Sequence, residues 1–206
     1  MLRFYSERLE TVEINNTFYR MPSDLVLTGW ANQVPNDFIF AFKAPQVITH
    51  VKRLRNVGQE TEYFLRTLTA LAARLGPVLF QFPPSFHADY QGLKDFLSLI
   101  PRSMSVAFEF RNASWIDSGI IELLGQKGCS LCLTDSGEVP ADKIISTAQW
   151  GYLRLRRTDY TDDELSRWME GVVSQGWEKV FVFFKHEEGA AGPEMAMRFR
   201  RIAKQG

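Results

Sequence analysis

The chain has 206 residues, with 24 basic and 24 acidic side chains, so its formal net charge is zero. Hydrophobic residues make up 45% of it and aromatics 13%, which suits one globular domain over 1–206 and excludes a disordered chain. The charge balance argues against a dedicated nucleic-acid binder, no run of about 18 apolar residues offers a membrane span, and two cysteines make no disulfide framework.

Met1–Arg8 has no apolar signal core, so the expected location is the cytoplasm. A helix precedes the first strand, Thr11 to Asn15. After Ser23, Leu27, Trp30, Ala31 and Val34 fall on one helical stripe, followed by a strand from Phe38 to Lys43. Phe64, Leu68, Leu71, Ala72 and Leu75 form the next stripe, with Gly76-Pro77 as its expected stop before a strand from Val78 to Phe82. Leu93, Phe96, Leu97 and Ile100 make a helix closed by Pro101, and a strand runs from Ser105 to Arg111. Ile120, Ile121 and Leu124 make a helix ended by Gly128, ahead of a strand from Ser130 to Asp135. A short helix over Asp142 to Thr147 leads to a strand from Gly151 to Arg156. Thr161-Asp162-Asp163-Glu164 reads as a capping box opening a helix with Leu165, Trp168, Met169 and Val172 inward. The last strand is Lys179 to Phe184, and Pro193 starts a final helix carrying Met195, Phe199 and Ile202.

Phe38-Ile39-Phe40-Ala41-Phe42 and Val180-Phe181-Val182-Phe183-Phe184 are apolar on both faces, as in parallel strands covered by helices. Successive strands start roughly 21 to 40 residues apart, enough for right-handed crossovers. A doubly wound nucleotide fold wants a glycine-rich turn after its first strand; here Asn16-Thr17-Phe18-Tyr19 follows instead. The pattern favours an α/β chain of TIM-like (β/α) barrel type in which seven strands are visible and one is lacking.

Charges inside doubly buried strands need a reason. Glu13 and Asn15 share one strand face. Lys43 ends its strand, Gln81 interrupts another, and Glu109 and Arg111 lie on the face of Ala107. Asp135 ends Leu131-Cys132-Leu133-Thr134, Arg154 and Arg156 alternate with Leu153 and Leu155, and Lys185 and His186 follow the last strand. Period two places each set on one face, near the C-terminal mouth where such barrels carry their sites. The alternative is a structural ion-pair network that fills the interior.

The segments Thr11-Val12-Glu13-Ile14-Asn15-Asn16-Thr17-Phe18-Tyr19-Arg20, Phe42-Lys43-Ala44-Pro45 with Ile48-Thr49-His50, and Leu79-Phe80-Gln81-Phe82-Pro83-Pro84-Ser85-Phe86 resemble the YecE-like family, domain of unknown function 72. Glu109-Phe110-Arg111-Asn112-Ala113-Ser114-Trp115 and Tyr152-Leu153-Arg154-Leu155-Arg156 resemble it too, so the likeness runs in order along nearly the whole chain. It implies a TIM-barrel-like fold and no particular reaction. It also implies a first strand with a Gly-Thr-Ser-Gly-Trp-like loop that this chain lacks. The gap would then lie between the strands of Val12 and Val182 and expose two edges; a homodimer covering them, a rearranged helix or low stability would each answer that hazard.

The expected ligand is a small polar or anionic metabolite, a sugar phosphate or carboxylate, because guanidinium groups grip such anions in a bidentate way. Lys43, Arg111 and Arg154 would fix its charge, and Asn15, Tyr19, Gln81 and His50 would hydrogen-bond it. Trp115, in a loop at the expected mouth, would wall the pocket. Glu13, Glu109 and Asp135 are the candidate acid–base groups, since inward carboxylates acquire shifted proton affinities. Glu13, His50, Glu109, Asp135 and His186 have metal-ligating chemistry, but no compact spacing joins them and the nearby cations compete, so neither metal nor other cofactor is expected. Cys129 and Cys132, three apart on a strand, should point to opposite faces as ordinary core residues. The opposing expectation is a non-catalytic binding or scaffold protein with a nucleic-acid or protein partner, or an inactive truncated form.

Overall fold

A computed structural model of the chain describes residues 1–136, 144–184 and 191–204. Five parallel strands, β1 (Thr11–Ile14), β2 (Ile39–Lys43), β3 (Leu75–Gln81), β4 (Val106–Glu109) and β5 (Ser130–Leu131), pair in chain order as one sheet. Three more, β6 (Leu133–Thr134), β7 (Trp150–Leu155) and β8 (Lys179–Phe184), form a second parallel sheet. Helices α1 (Leu2–Ser6), α2 (Asp24–Ala31), α3 (Gly58–Leu68), α4 (Tyr90–Ser98), α5 (Ser118–Lys127), α6 (Asp162–Val173) and α7 (Ala191–Ala203) alternate with them, except that β5, β6 and β7 follow one another with no helix between them among the described residues.

The run Ser130 to Asp135, expected as one strand, is divided at Cys132. The Cys132 N–H donates to the Phe108 carbonyl at 2.8 Å, so the first half stays with β4 while the second pairs with β7. The backbone thus crosses from one sheet to the other at this residue. Among the described residues, strand β1 pairs only with β2 and β8 only with β7. A closed hydrogen-bonded barrel is therefore not what these residues form: they make an α/β fold of two parallel sheets.

Gly76-Pro77 does not stop a helix. Helix α3 ends at Leu68, a 3₁₀ segment follows over Thr69–Arg74 with a kink at Ala72 (φ 49°), and β3 has begun by Leu75. The β2–β3 register sets Phe40 against Leu75 and Phe42 against Val78, so β3 carries an extra residue there. Such a bulge accommodates a proline that cannot donate to the ladder. A Cβ on Gly76 would come within 2.3 Å of Ile39 Cγ2, so the close approach of β2 requires glycine. Of the short helix expected over Asp142 to Thr147, Asp142 and Lys143 lie outside the described residues, and 144–147 is irregular. Thr147 serves β5 instead: its hydroxyl accepts from Leu131 N–H at 2.8 Å and donates to the Cys129 carbonyl at 2.7 Å.

The caps follow the sequence. Ser23 accepts from Val26 N–H, Gly128 ends α5 at φ 65°, and Thr161 and Glu164 close the capping box of α6. Alternation then sorts the strands into two faces. Phe40, Phe80 and Phe108 pack outward under the helices, while Ala41, Leu79, Ala107, Cys132, Tyr152 and Phe181 form a separate inner layer. Cys129 belongs to the outer cluster and Cys132 to the inner one, as their spacing requires. No helix among the described residues is long and apolar enough to cross a membrane.

Candidate functional site

The inner faces turn from apolar to polar toward the C-terminal strand ends. Two residues beyond the inner apolar layer come Lys43, Gln81, Glu109 and Arg154, and Glu13 joins them from β1, each at or next to the end of its strand. Arg154 is their centre. Its Nη1 donates to Glu109 Oε2 at 2.6 Å and to Gln81 Oε1 at 3.4 Å; its Nη2 donates to Glu13 Oε1 at 2.8 Å and to Asn15 Oδ1 at 3.4 Å. Tyr152, two residues earlier on the same face, donates its hydroxyl to Glu13 Oε2 at 2.5 Å. Arg111 lies above, with Nε donating to Glu109 Oε1 at 2.9 Å and Nη2 to Gln81 at 3.3 Å.

Glu109 is fully buried. Burial by itself raises its carboxyl, but the guanidinium groups of Arg154 and Arg111 outweigh that and hold it below the ordinary glutamate range. An ionised carboxylate bonded on both oxygens holds cations in place and is a poor proton carrier at neutral pH. Burial, followed by the Glu13 charge, pushes the Tyr152 phenol well up, so it remains a donor. Arg154 is 6% exposed, and both terminal nitrogens already serve two acceptors each. Expected to grip the ligand, it is instead consumed by the protein's own carboxylates.

The free charge lies higher, at the rim. Lys43 Nζ sits 4.0 Å from the Phe18 ring centroid, and among the described residues it makes no ion pair. Burial, then the Arg154 charge, brings its ammonium down to about 8. His50 meets the same Phe18 ring edge-on at 4.9 Å, with Nδ1 2.8 Å from Thr49 Oγ1. Burial and the nearby Lys43 and Arg111 charges lower its imidazole to about 4, so it is neutral at pH 7. The Arg111 side chain is 28% exposed. Arg156 is half-buried, and its backbone N–H donates to Asp135 Oδ1 at 2.7 Å.

Three expected site residues lie elsewhere. Trp115 is fully buried, stacked 4.5 Å from Phe110 with its Nε1 donating to the Phe86 carbonyl at 2.7 Å. It closes the core under the loop and walls no pocket, because it is fully buried and its one polar atom is used. Asp135 gives its oxygens to Arg156 N–H and the Tyr160 hydroxyl, outside the Arg154 network. Tyr19 is 77% exposed and lines a groove of about 530 Å³ with Ile14, Met21, Val26 and Trp30, also outside that network. Lys185 and His186 lie outside the described residues. Tyr152 was missed by sequence reasoning; its signal was the period-two spacing to Arg154, masked by an aromatic's usual place in the core.

The family model described as "Protein of unknown function DUF72" matches residues 1–206, and the chain belongs to that family. It is 31% identical to the UPF0759 protein YecE of Escherichia coli K12 over 153 residues, 71% of this chain and 56% of that protein. It is 29% identical to the UPF0759 protein YunF of Bacillus subtilis over 130 residues, 59% of this chain and 46% of that one. The chain thus matches about half the length of these curated relatives. A DUF72 family protein from Enterococcus faecalis superposes with a TM-score of 0.83 at 21% identity, covering 98% of this chain and 93% of that one. One from Thermotoga maritima gives 0.77 at 26% identity, covering 96% and 84%.

Proposed function

We propose that this DUF72 chain binds a small anionic metabolite, a sugar phosphate or carboxylate, at the C-terminal ends of its strands. In this reading the two sheets are parts of an incomplete (β/α) barrel, whose mouth is the usual place for such a site. The observation that carries the reading is the stacking of charge in two tiers. The lower tier, Glu13, Glu109 and Arg154, satisfies itself within the interior. The upper tier presents Lys43, Arg111 and Arg156 around it, with only Arg111 ion-paired to Glu109 among the described residues. A buried network alone would need no second ring of half-buried cations, and such a ring costs desolvation and mutual repulsion unless an anion offsets both.

Within this reading Glu109 is a positioning residue that orients Arg111 and Arg154. Arg111 offers its remaining N–H groups to the ligand, Lys43 adds a point charge, and Asn15, Gln81 and His50 border it. The test is thermal unfolding with sugar phosphates, carboxylates, nucleotides and divalent metals, for the parent and Arg111→Met. A ligand at about 100 times its Kd stabilises by about 2.7 kcal/mol. Stabilisation by one anion class, lost in Arg111→Met while that variant still folds, is the expected result. No stabilisation by any anion overturns the reading and leaves the network as a staple between the sheets.

A further inference from the structure

We propose that Lys43 is a reactive amine that forms an imine with a carbonyl compound carrying an anionic group, such as a 2-oxo acid or a phosphorylated aldehyde. The inference rests on the anion-binding reading and adds the reacting atom. Lys43 differs from the two arginines of the network. Arg154 and Arg111 are held to carboxylates at 2.6 to 2.9 Å, whereas among the described residues Lys43 Nζ rests only on the face of Phe18. It stands half-buried at the C-terminal end of β2, which places the amine at the rim. The charged groups acting on it come from across the site: Arg154 from β7, Arg111 and Glu109 from the end of β4, and Glu13 from β1, with His50 beside the same Phe18 ring.

An amine pressed between apolar surface and other cations loses its proton more readily and becomes a nucleophile near neutral pH. Here that effect brings the ammonium to about 8, against an ordinary value of 10.5. The step itself balances without a further reagent. The nitrogen lone pair attacks the carbonyl carbon, a C–N bond forms and the C–O π bond breaks, and the proton shed by the nitrogen passes to the oxygen, giving a carbinolamine. A second proton, from solvent, converts that hydroxyl to water, and its departure leaves the protonated imine. Arg111 would hold the ligand's carboxylate or phosphate, and neutral His50, which meets the same Phe18 ring, has a ring nitrogen not committed to Thr49 that can pass the proton.

The experiment is reductive trapping. The protein is incubated with pyruvate, glyoxylate or glyceraldehyde 3-phosphate and sodium borohydride, at pH values on both sides of 8, then digested and the adduct located by mass spectrometry. Labelling of Lys43 ahead of exposed lysines such as Lys94 and Lys127 is expected, rising with pH toward about 8 and absent in Lys43→Arg and Lys43→Met. Lactate and glycerol 3-phosphate, which lack the carbonyl, should compete. Uniform labelling of exposed lysines with none favouring Lys43 overturns the proposal. If anions stabilise the protein but no adduct forms on Lys43, the amine fails and the binding reading stands. If neutral acetaldehyde labels Lys43 as well as pyruvate does, and the anions do not compete, the anion reading fails and the reactive amine stands.

Discussion

The two sheets are held by different chemistry. The five-stranded half carries an aromatic stack on its outer side: Phe82, Phe108, Phe110 and Trp115, whose stacked pairs have ring planes within 15° of each other. It sits on a continuous buried cluster that includes residues of α2, α3, α4 and α5. The three-stranded half has two smaller clusters, and Val180, Val182, Phe183 and Phe184 of its outer strand are only partly buried. One side rests on a large apolar cluster; the other buries less and is joined to it by polar as well as apolar contacts. The attachment is the split strand at Cys132 together with Tyr152 and Arg154, which reach from β7 to Glu13 on β1 and, for Arg154, also to Gln81 and Glu109 on β3 and β4. The same residues that floor the candidate site therefore also join the halves.

The largest expected effect comes from breaking that joint. Arg154→Met leaves Glu13 and Glu109 buried without their shared partner, at a cost of about 3–5 kcal/mol in denaturant unfolding. Hydrogen exchange should show the β7 and β8 amides losing protection before those of β3 and β4. Equal loss in both sheets would break the comparison, by showing a single cooperative body. A smaller change is expected from Tyr152→Phe, which removes one hydrogen bond to a carboxylate that keeps Arg154 and Asn15; about 1.5–3 kcal/mol is the scale for such bonds. Acid acts on the same joint. The Glu109 carboxyl is held below its ordinary value in the fold, so its contribution is present above the unfolded pKa and is lost as pH falls through the lower folded one. Acid unfolding of the parent should therefore begin below about pH 4.5, and Glu109→Gln should be less stable than the parent at neutral pH and lose less on acidification.

Much of this was legible in the sequence, and the misses share a cause. Alternation placed Glu13, Gln81, Glu109 and Arg154 on inner faces near strand ends, and the structure brings these four into one network. What periodicity could not show was saturation: Arg154 and a ligand-binding arginine look alike until each donor is assigned. Trp115 failed for a related reason, because a tryptophan beside a strand end reads as a pocket wall until its Nε1 is found bonded to Phe86. Gly76-Pro77 was read by its local meaning as a helix stop. The bulge against β2 that tolerates both residues is a tertiary fact with no local signature. The division at Cys132 is likewise invisible in a run that is apolar throughout.

Lys43→Met gives the smallest expected change and separates the two tiers of charge most sharply. Arg154 is a cation the fold needs; Lys43 is one the fold tolerates. Its folded pKa of about 8 lies below the unfolded 10.5, so holding its charge costs stability at every pH below 8. That cost disappears as pH rises from 8 toward 10.5, where the unfolded chain still binds the proton and the native protein does not, so the parent's stability climbs through this window. Methionine abolishes the climb. At pH 7 the variant should be the more stable by about 1 kcal/mol, once screening of a partly solvated amine is allowed for. The contact with Phe18, worth about 0.5–1 kcal/mol for a cation over an aromatic face, acts in the opposite direction and limits the gain. A methionine variant less stable than the parent at pH 7, with the parent's pH profile unchanged, would place Lys43 in the same tier as Arg154, as a charge kept for the structure. A gain that fades above pH 8 would leave function as the reason for keeping an uncompensated amine at the mouth.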